Sequence, residues 1–109
     1  NKDPEILLVI GSLYETMGHR YVGEAVRIYR RILEVDPEDA GAYTRLGYIY
    51  WKEVQHLPPV IHCFSTSLAM DPNQEQGDEM RRVVAELTEL YKNLCEKSGM
   101  RIQDVLSGN

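Results

Sequence analysis

The sequence lacks the motifs by which most enzymes are recognised. Its eight glycines are scattered singly, so there is no glycine-rich phosphate-binding loop, and no Gly-x-Ser-x-Gly elbow is present. Histidine occurs only three times, and two of these residues, His19 and His56, fall in predicted turns, where a polar surface role is usual. We therefore predict no catalytic residues and a protein that is not an enzyme.

Cysteine is also scarce, with only Cys63 and Cys95 in the chain. The two have no Cys-x-x-Cys spacing, and His62 beside Cys63 would point about 100° away from it on a helix. We predict no metal site, no cofactor and no disulfide. Two free thiols are typical of a reducing compartment, so we expect a cytoplasmic location.

Long apolar runs are absent, since none approaches the roughly 20 residues that span a bilayer, and residues 1–10 do not resemble a signal peptide. The chain starts at Asn1 rather than Met, as an excised piece of a longer protein would. The net charge of −5 disfavours nucleic acid. We interpret the local basic cluster as a solvated helix face, with an acidic-partner or RNA site as the weaker alternative: Arg20, Arg27, Arg30 and Arg31.

What the sequence does contain is a folded-domain composition and an internal repeat. With 109 residues, 43% hydrophobic and 27% charged, it fits one globular domain. Four kinds of landmark recur in the same order, 35 or 36 residues apart. The pairs are Gly11 and Gly47, Tyr14 and Tyr50, Tyr29 and Phe64, and the dipeptides Asp36-Pro37 and Asp71-Pro72.

The repeated pattern resembles the tetratricopeptide repeat, which has about 34 residues. The clearer copy runs Tyr43-x-x-Leu46-Gly47-x-x-Tyr50, Val60-x-x-x-Phe64, Asp71-Pro72. The resemblance covers residues 4–72. The spacing between the glycine and the aromatic residue is two residues longer than the family norm in the first copy and one longer in the second, which predicts lengthened turns.

This resemblance implies an all-α fold of antiparallel helix-turn-helix repeats, an α-solenoid with about five main helices. We predict a single domain over 1–109, with repeat one at about 4–37, repeat two at about 38–72, a capping helix at about 74–98 and a short C-terminal turn at 101–107. The helices are expected at about 4–18, 22–35, 38–55, 58–70 and 74–98.

Two features of the predicted helices bear on packing. Gly11 and Gly47 have no Cβ, so we expect the partner helix of each pair to approach closely there. The fifth helix carries apolar residues at alternating steps of four and three: Val83, Leu87, Leu90 and Leu94. We interpret this stripe as a cap on the second repeat, with a homodimer through residues 80–95 as the alternative.

In the family that this chain resembles, the first helices of successive pairs line a concave groove that binds extended ligands. The resemblance therefore implies a groove formed by Ser12, Glu15, Thr16, Thr44, Arg45, Tyr48, Trp51 and Lys52. Tyr48 and Trp51 are three residues apart and share a helix face, which suits an anchor for a peptide. The alternative for Trp51 is packing under the fifth helix.

The family members that clamp the acidic tails of chaperones have an Asn directly after the Leu-Gly motif. Here that place holds Ser12 and Tyr48, so this subclass is disfavoured. We predict a non-catalytic scaffold that binds a peptide or helix of another protein. The alternatives are an internal segment of a longer solenoid, a self-associating module and, less favoured, an RNA-binding repeat.

Overall fold

The computed structural model describes residues 3–101, and within this range it contains helices and turns but no strand, which confirms the all-helical class. The five α-helices are α1 (Pro4–Thr16), α2 (Val22–Val35), α3 (Ala40–Tyr48), α4 (Pro58–Met70) and α5 (Gly77–Ser98). The predicted turn at 101–107 lies, beyond its first residue, outside the described residues.

The helices begin and end at the signals in the sequence. The Asp3 carboxylate caps α1 by accepting a hydrogen bond from the Glu5 amide, and Asp39 caps α3 by accepting one from Ala42. Pro58 opens α4, where its missing N–H has no cost. Gly99 ends α5 in the left-handed region, with φ of 76°.

The extra residues relative to the tetratricopeptide spacing lie in two different structures. In the first half of the chain they form the turn at Gly18 and a 3₁₀ segment, His19–Tyr21. In the second half α3 continues as a π-helical segment, Ile49–Val54, which ends at Gln55 in the left-handed region. A π-turn holds one more residue than an α-turn. The extra residue of the second half is therefore accommodated within this helix, whereas a lengthened turn between the helices was predicted.

Each helix packs against its neighbours in sequence: α1 on α2, α2 on α3, α3 on α4, and α4 on α5. The closest approaches within the pairs lie at the two glycines. A Cβ on Gly11 would lie 2.6 Å from Cε1 of Tyr29, and a Cβ on Gly47 would overlap the ring of Phe64. The aromatic side chain of the second helix therefore fills the space that each glycine leaves open.

Two apolar clusters hold the helices together. The first joins α1, α2 and α3 around the fully buried Tyr29 and Ile32, and the second joins the end of α3, α4 and α5 around Phe64 and Met80. Cys63 lies in the first cluster as a free thiol, and burial raises its pKa to about 11. This thiol is protonated at neutral pH and is a poor nucleophile.

Candidate binding surface

One side of α1 and α3 is organised by a group of polar side chains. The Tyr29 hydroxyl on α2 donates a hydrogen bond to the Glu15 carboxylate on α1, and Arg45 on α3 lies 3.6 Å from the same carboxylate. Burial and the hydrogen bond to Glu15 raise the pKa of Tyr29 to about 12. Glu15 thus fixes Arg45 at the boundary between α1 and α3.

Two depressions meet at Arg45. The first, which we call the apolar depression, has a volume of about 280 Å³ and is lined by Leu8, Val9, Ser12, Leu13, Thr16 and Arg45. The second, the polar depression, has a volume of about 400 Å³ and is lined by Glu15, Gly41, Thr44, Arg45, Tyr48, Gln74, Glu75 and Gln76. Together they form a surface that runs from α1 across α3 to the residues preceding α5.

Six of the eight predicted groove residues line one of these depressions: Ser12, Glu15, Thr16, Thr44, Arg45 and Tyr48. Val9 and Leu13 were not predicted to line the groove, although both are apolar positions of α1 outside its core stripe. Residues 74–76 were not predicted to line it either, since they were predicted to be helical and instead form the turn before α5.

Thr44 requires a correction, since it was predicted to point outward. It is only 8% exposed, and its hydroxyl lies 2.6 Å from the Ser67 hydroxyl on α4 and 2.7 Å from Oε1 of Gln74. Ser67 also donates to the Ala40 carbonyl and accepts from Nε2 of Gln74. Thr44 therefore belongs to a buried polar network beneath the polar depression.

Replacing Ser67 with Ala is expected to lower the free energy of unfolding by about 1–3 kcal/mol, because the Gln74 amide and the Ala40 carbonyl would lose their buried partner. The matched control is Ser65→Ala, at an exposed position of the same helix, which should change stability by no more than about 0.5 kcal/mol. Urea unfolding followed by circular dichroism measures both. Equal stabilities of the two variants would contradict the network.

Trp51 and Lys52 line neither depression. The Trp51 ring is half-buried and packs on the second apolar cluster, with its centroid 5.8 Å from Tyr48 and 6.3 Å from Phe64. The Lys52 ammonium lies 5.0 Å from the Trp51 centroid. Tyr48 and Trp51 are neighbours as predicted, but these contacts favour the packing alternative for Trp51.

Tyr48 links the surface to the last helix. Its ring contacts Phe64 at a centroid distance of 5.0 Å, and its hydroxyl donates a hydrogen bond to the Glu79 carboxylate on α5. Burial and this bond raise the pKa of Tyr48 above its usual value. One edge of Tyr48 borders the polar depression while the rest of the side chain supports the fold.

The basic cluster does not form one open patch. Arg30 donates to the Tyr50 hydroxyl, and Arg27 lies 4.0 Å from Glu24. Arg27 and Arg31 line a separate depression of about 500 Å³ together with Glu34 and Val35. Carboxylates are thus interleaved with the arginines, which is unfavourable for binding a phosphate backbone.

The predicted dimer stripe of α5 is divided. Val83 is buried in the second cluster and Leu87 is partly buried against it, whereas Leu90 and Leu94 are 45% and 49% exposed. The first half of the stripe therefore caps α4, and only the second half is open to a partner.

Within residues 3–101 no group of three or more His, Cys, Asp or Glu side chains is placed to hold a metal ion, and no helix in this range is long and apolar enough to cross a bilayer. Comparisons of the chain with family models, with curated proteins and with solved structures found no significant match.

Proposed function

We propose that this chain is a tetratricopeptide-like helical repeat that binds a segment of another protein without catalysis. The bound peptide or helix would lie across α1, α3 and the turn before α5. The observation that carries this proposal is the meeting of an apolar and a polar depression at Arg45, on the side of the helices where the repeat pattern predicts a groove.

The two depressions suit different parts of one ligand. Leu8, Val9 and Leu13 give the apolar depression a wall that would bury an aliphatic or aromatic side chain of the ligand. The polar depression offers Arg45 together with the side-chain amide of Gln76, which would pair with backbone groups of an extended segment. A ligand with one apolar anchor followed by a polar stretch fits this order.

The test begins with a peptide selected from a random displayed library on the immobilised protein. Its Kd is then measured for the wild type and for Arg45→Glu, which reverses the charge at the junction of the two depressions. We expect the variant to bind at least about tenfold more weakly, a loss of roughly 1.4 kcal/mol.

The matched control is Arg27→Glu, which makes the same charge change at an exposed position of α2 outside both depressions. It should bind the peptide with the wild-type affinity. If the two variants weaken binding equally, net charge explains the effect, and the surface at Arg45 is not the binding site.

A further inference from the structure

The C-terminal turns of α5 extend beyond the helix on which α5 packs. α4 has 13 residues and α5 has 22, so at about 1.5 Å per residue α5 is longer by about 14 Å. The turn at residues 71–76 joins the two packed helices, which therefore run in opposite directions, and the excess length lies at the end of α5. Leu90 and Leu94 are 45% and 49% exposed in this part, whereas Cys95, about 100° further round the helix, is buried. The two leucines therefore form an open apolar side at this end of α5.

Charges of opposite sign flank the two leucines. Glu86 lies four residues before Leu90, and Lys97 lies three residues after Leu94, so all four side chains follow one side of the helix. We call these four residues the distal face of α5. Glu86 and Lys97 are exposed, and the salt bridges found among residues 3–101 involve neither of them. Both charges are therefore available to a partner.

The order acid, leucine, leucine, base is complementary to itself when it is reversed. The midpoint between Leu90 and Leu94 lies about 9 Å along the helix axis from Glu86 and about 7.5 Å from Lys97. A twofold axis at this midpoint would place Leu90 of one copy against Leu94 of the other and Glu86 against Lys97, each contact occurring twice. A parallel arrangement would instead place each charge against its own copy, which is repulsive. An unrelated helix would need the same order in reverse, whereas a second copy has it by symmetry.

We infer that the distal face of α5 binds the same face of a second copy of this chain, with the two helices antiparallel. The contact contains four leucines and two ion pairs across the dimer, which is small for a protein interface, so we expect a weak dimer with a Kd of about 0.01–1 mM. This interaction is additional to the proposed peptide groove, since none of the four residues lines either depression.

Sedimentation equilibrium of the whole chain measures the dimer Kd, and exchanges of charge test the orientation. Glu86→Lys and Lys97→Glu should each weaken the dimer about five- to tenfold, because each change places like charges together at two points of the interface. The double variant Glu86→Lys/Lys97→Glu should recover the wild-type Kd, since the reversed order is equally self-complementary. An equimolar mixture of the two single variants should form a mixed dimer of wild-type affinity, because every charge then faces its opposite.

Exchanges of apolar residues test the position of the interface. Leu90→Glu/Leu94→Glu should remain folded by circular dichroism and monomeric up to about 1 mM. The matched control is Val9→Glu/Leu13→Glu, the same charge change at exposed positions of α1, which should dimerise with the wild-type Kd.

The peptide selected from the displayed library separates this inference from the proposed groove. The Leu90→Glu/Leu94→Glu variant should bind that peptide with the wild-type Kd, because its substitutions lie outside both depressions. The Val9→Glu/Leu13→Glu variant should lose the peptide and keep the dimer, because both residues line the apolar depression. Failure of the groove would leave the dimer measurements unchanged, and the converse also holds.

Three results would overturn the inference. The first is a wild-type chain that stays monomeric up to about 1 mM. The second is a dimer that Val9→Glu/Leu13→Glu dissociates, which would place the interface on α1. The third is a dimer whose Kd neither Glu86→Lys nor Lys97→Glu changes, which would exclude the antiparallel arrangement. Because these two positions are exposed, the third result can be read even if the leucine variant does not fold.

Discussion

Replacing Gly47 with Leu is expected to lower the free energy of unfolding by about 3 kcal/mol or more, because even the first carbon of the new side chain would overlap the Phe64 ring. Phe64 is fully buried and cannot turn away without opening the second apolar cluster. Domains of this size have a total stability of about 5–15 kcal/mol, so the loss removes a large part of it. Urea unfolding followed by circular dichroism measures the change.

The control for this substitution is Gly23→Ala in α2. A Cβ at Gly23 would meet nothing within 4 Å, so Ala should raise the stability by about 0.5–1 kcal/mol through its higher helix propensity. A smaller side chain at position 64 should also relieve the overlap, so Phe64→Leu combined with Gly47→Ala should cost less than the sum of the two single changes. Wild-type stability in Gly47→Leu would refute the close helix approach and, with it, the repeat interpretation.

The helices and their glycine contacts could be predicted because they depend on local signals. Asp3 with Pro4, Pro58 and Gly99 mark helix ends by their own backbone chemistry. The recurrence of a glycine before an aromatic residue at one period predicted a close approach twice, and the structure places Tyr29 over Gly11 and Phe64 over Gly47.

The candidate surface could be predicted only in part, since its outward positions were assigned by assuming one straight α-helix over 38–55. The helix changes to π winding at Ile49, so the α-helical periodicity that assigned Trp51 and Lys52 to the groove does not hold beyond Tyr48. Both side chains still lie against the Tyr48 ring, but they line neither depression. A one-residue insertion is visible in the sequence, but its placement in a helix or a loop depends on tertiary packing.

The prediction that Thr44 points outward was wrong for a different reason. A threonine has no strong preference for either the interior or the surface, and here its partners, Ser67 and Gln74, lie 23 and 30 residues away in the chain. Periodicity within one helix cannot detect such a network. The turn at residues 74–76 was not predicted for a similar reason. The Gln74 side chain donates hydrogen bonds to the Ser67 hydroxyl and the Asp71 carbonyl at the end of α4, and α5 begins only at Gly77.

Replacing Trp51 with Ala separates the two interpretations of this residue, and we expect a loss of stability. The ring is half-buried, packs on Tyr48 and Phe64, and carries Lys52 over its face. A fully buried Trp costs about 3–5 kcal/mol on truncation to Ala, so the half-buried ring should cost about 2–3 kcal/mol. Chemical unfolding of Trp51→Ala followed by circular dichroism measures this change.

A second readout makes the test decisive. Because Trp51 lines neither depression, folded Trp51→Ala protein should bind the peptide selected from the displayed library with a Kd within about twofold of the wild-type value. Trp51→Phe is the conservative control, since it keeps an aromatic ring against Phe64 and should recover most of the lost stability. An unchanged melting temperature together with a peptide affinity lowered by about 2 kcal/mol would reverse this assignment and restore Trp51 as an anchor. Loss of stability with retained affinity makes Trp51 a support for α5, and the binding surface then ends at Tyr48.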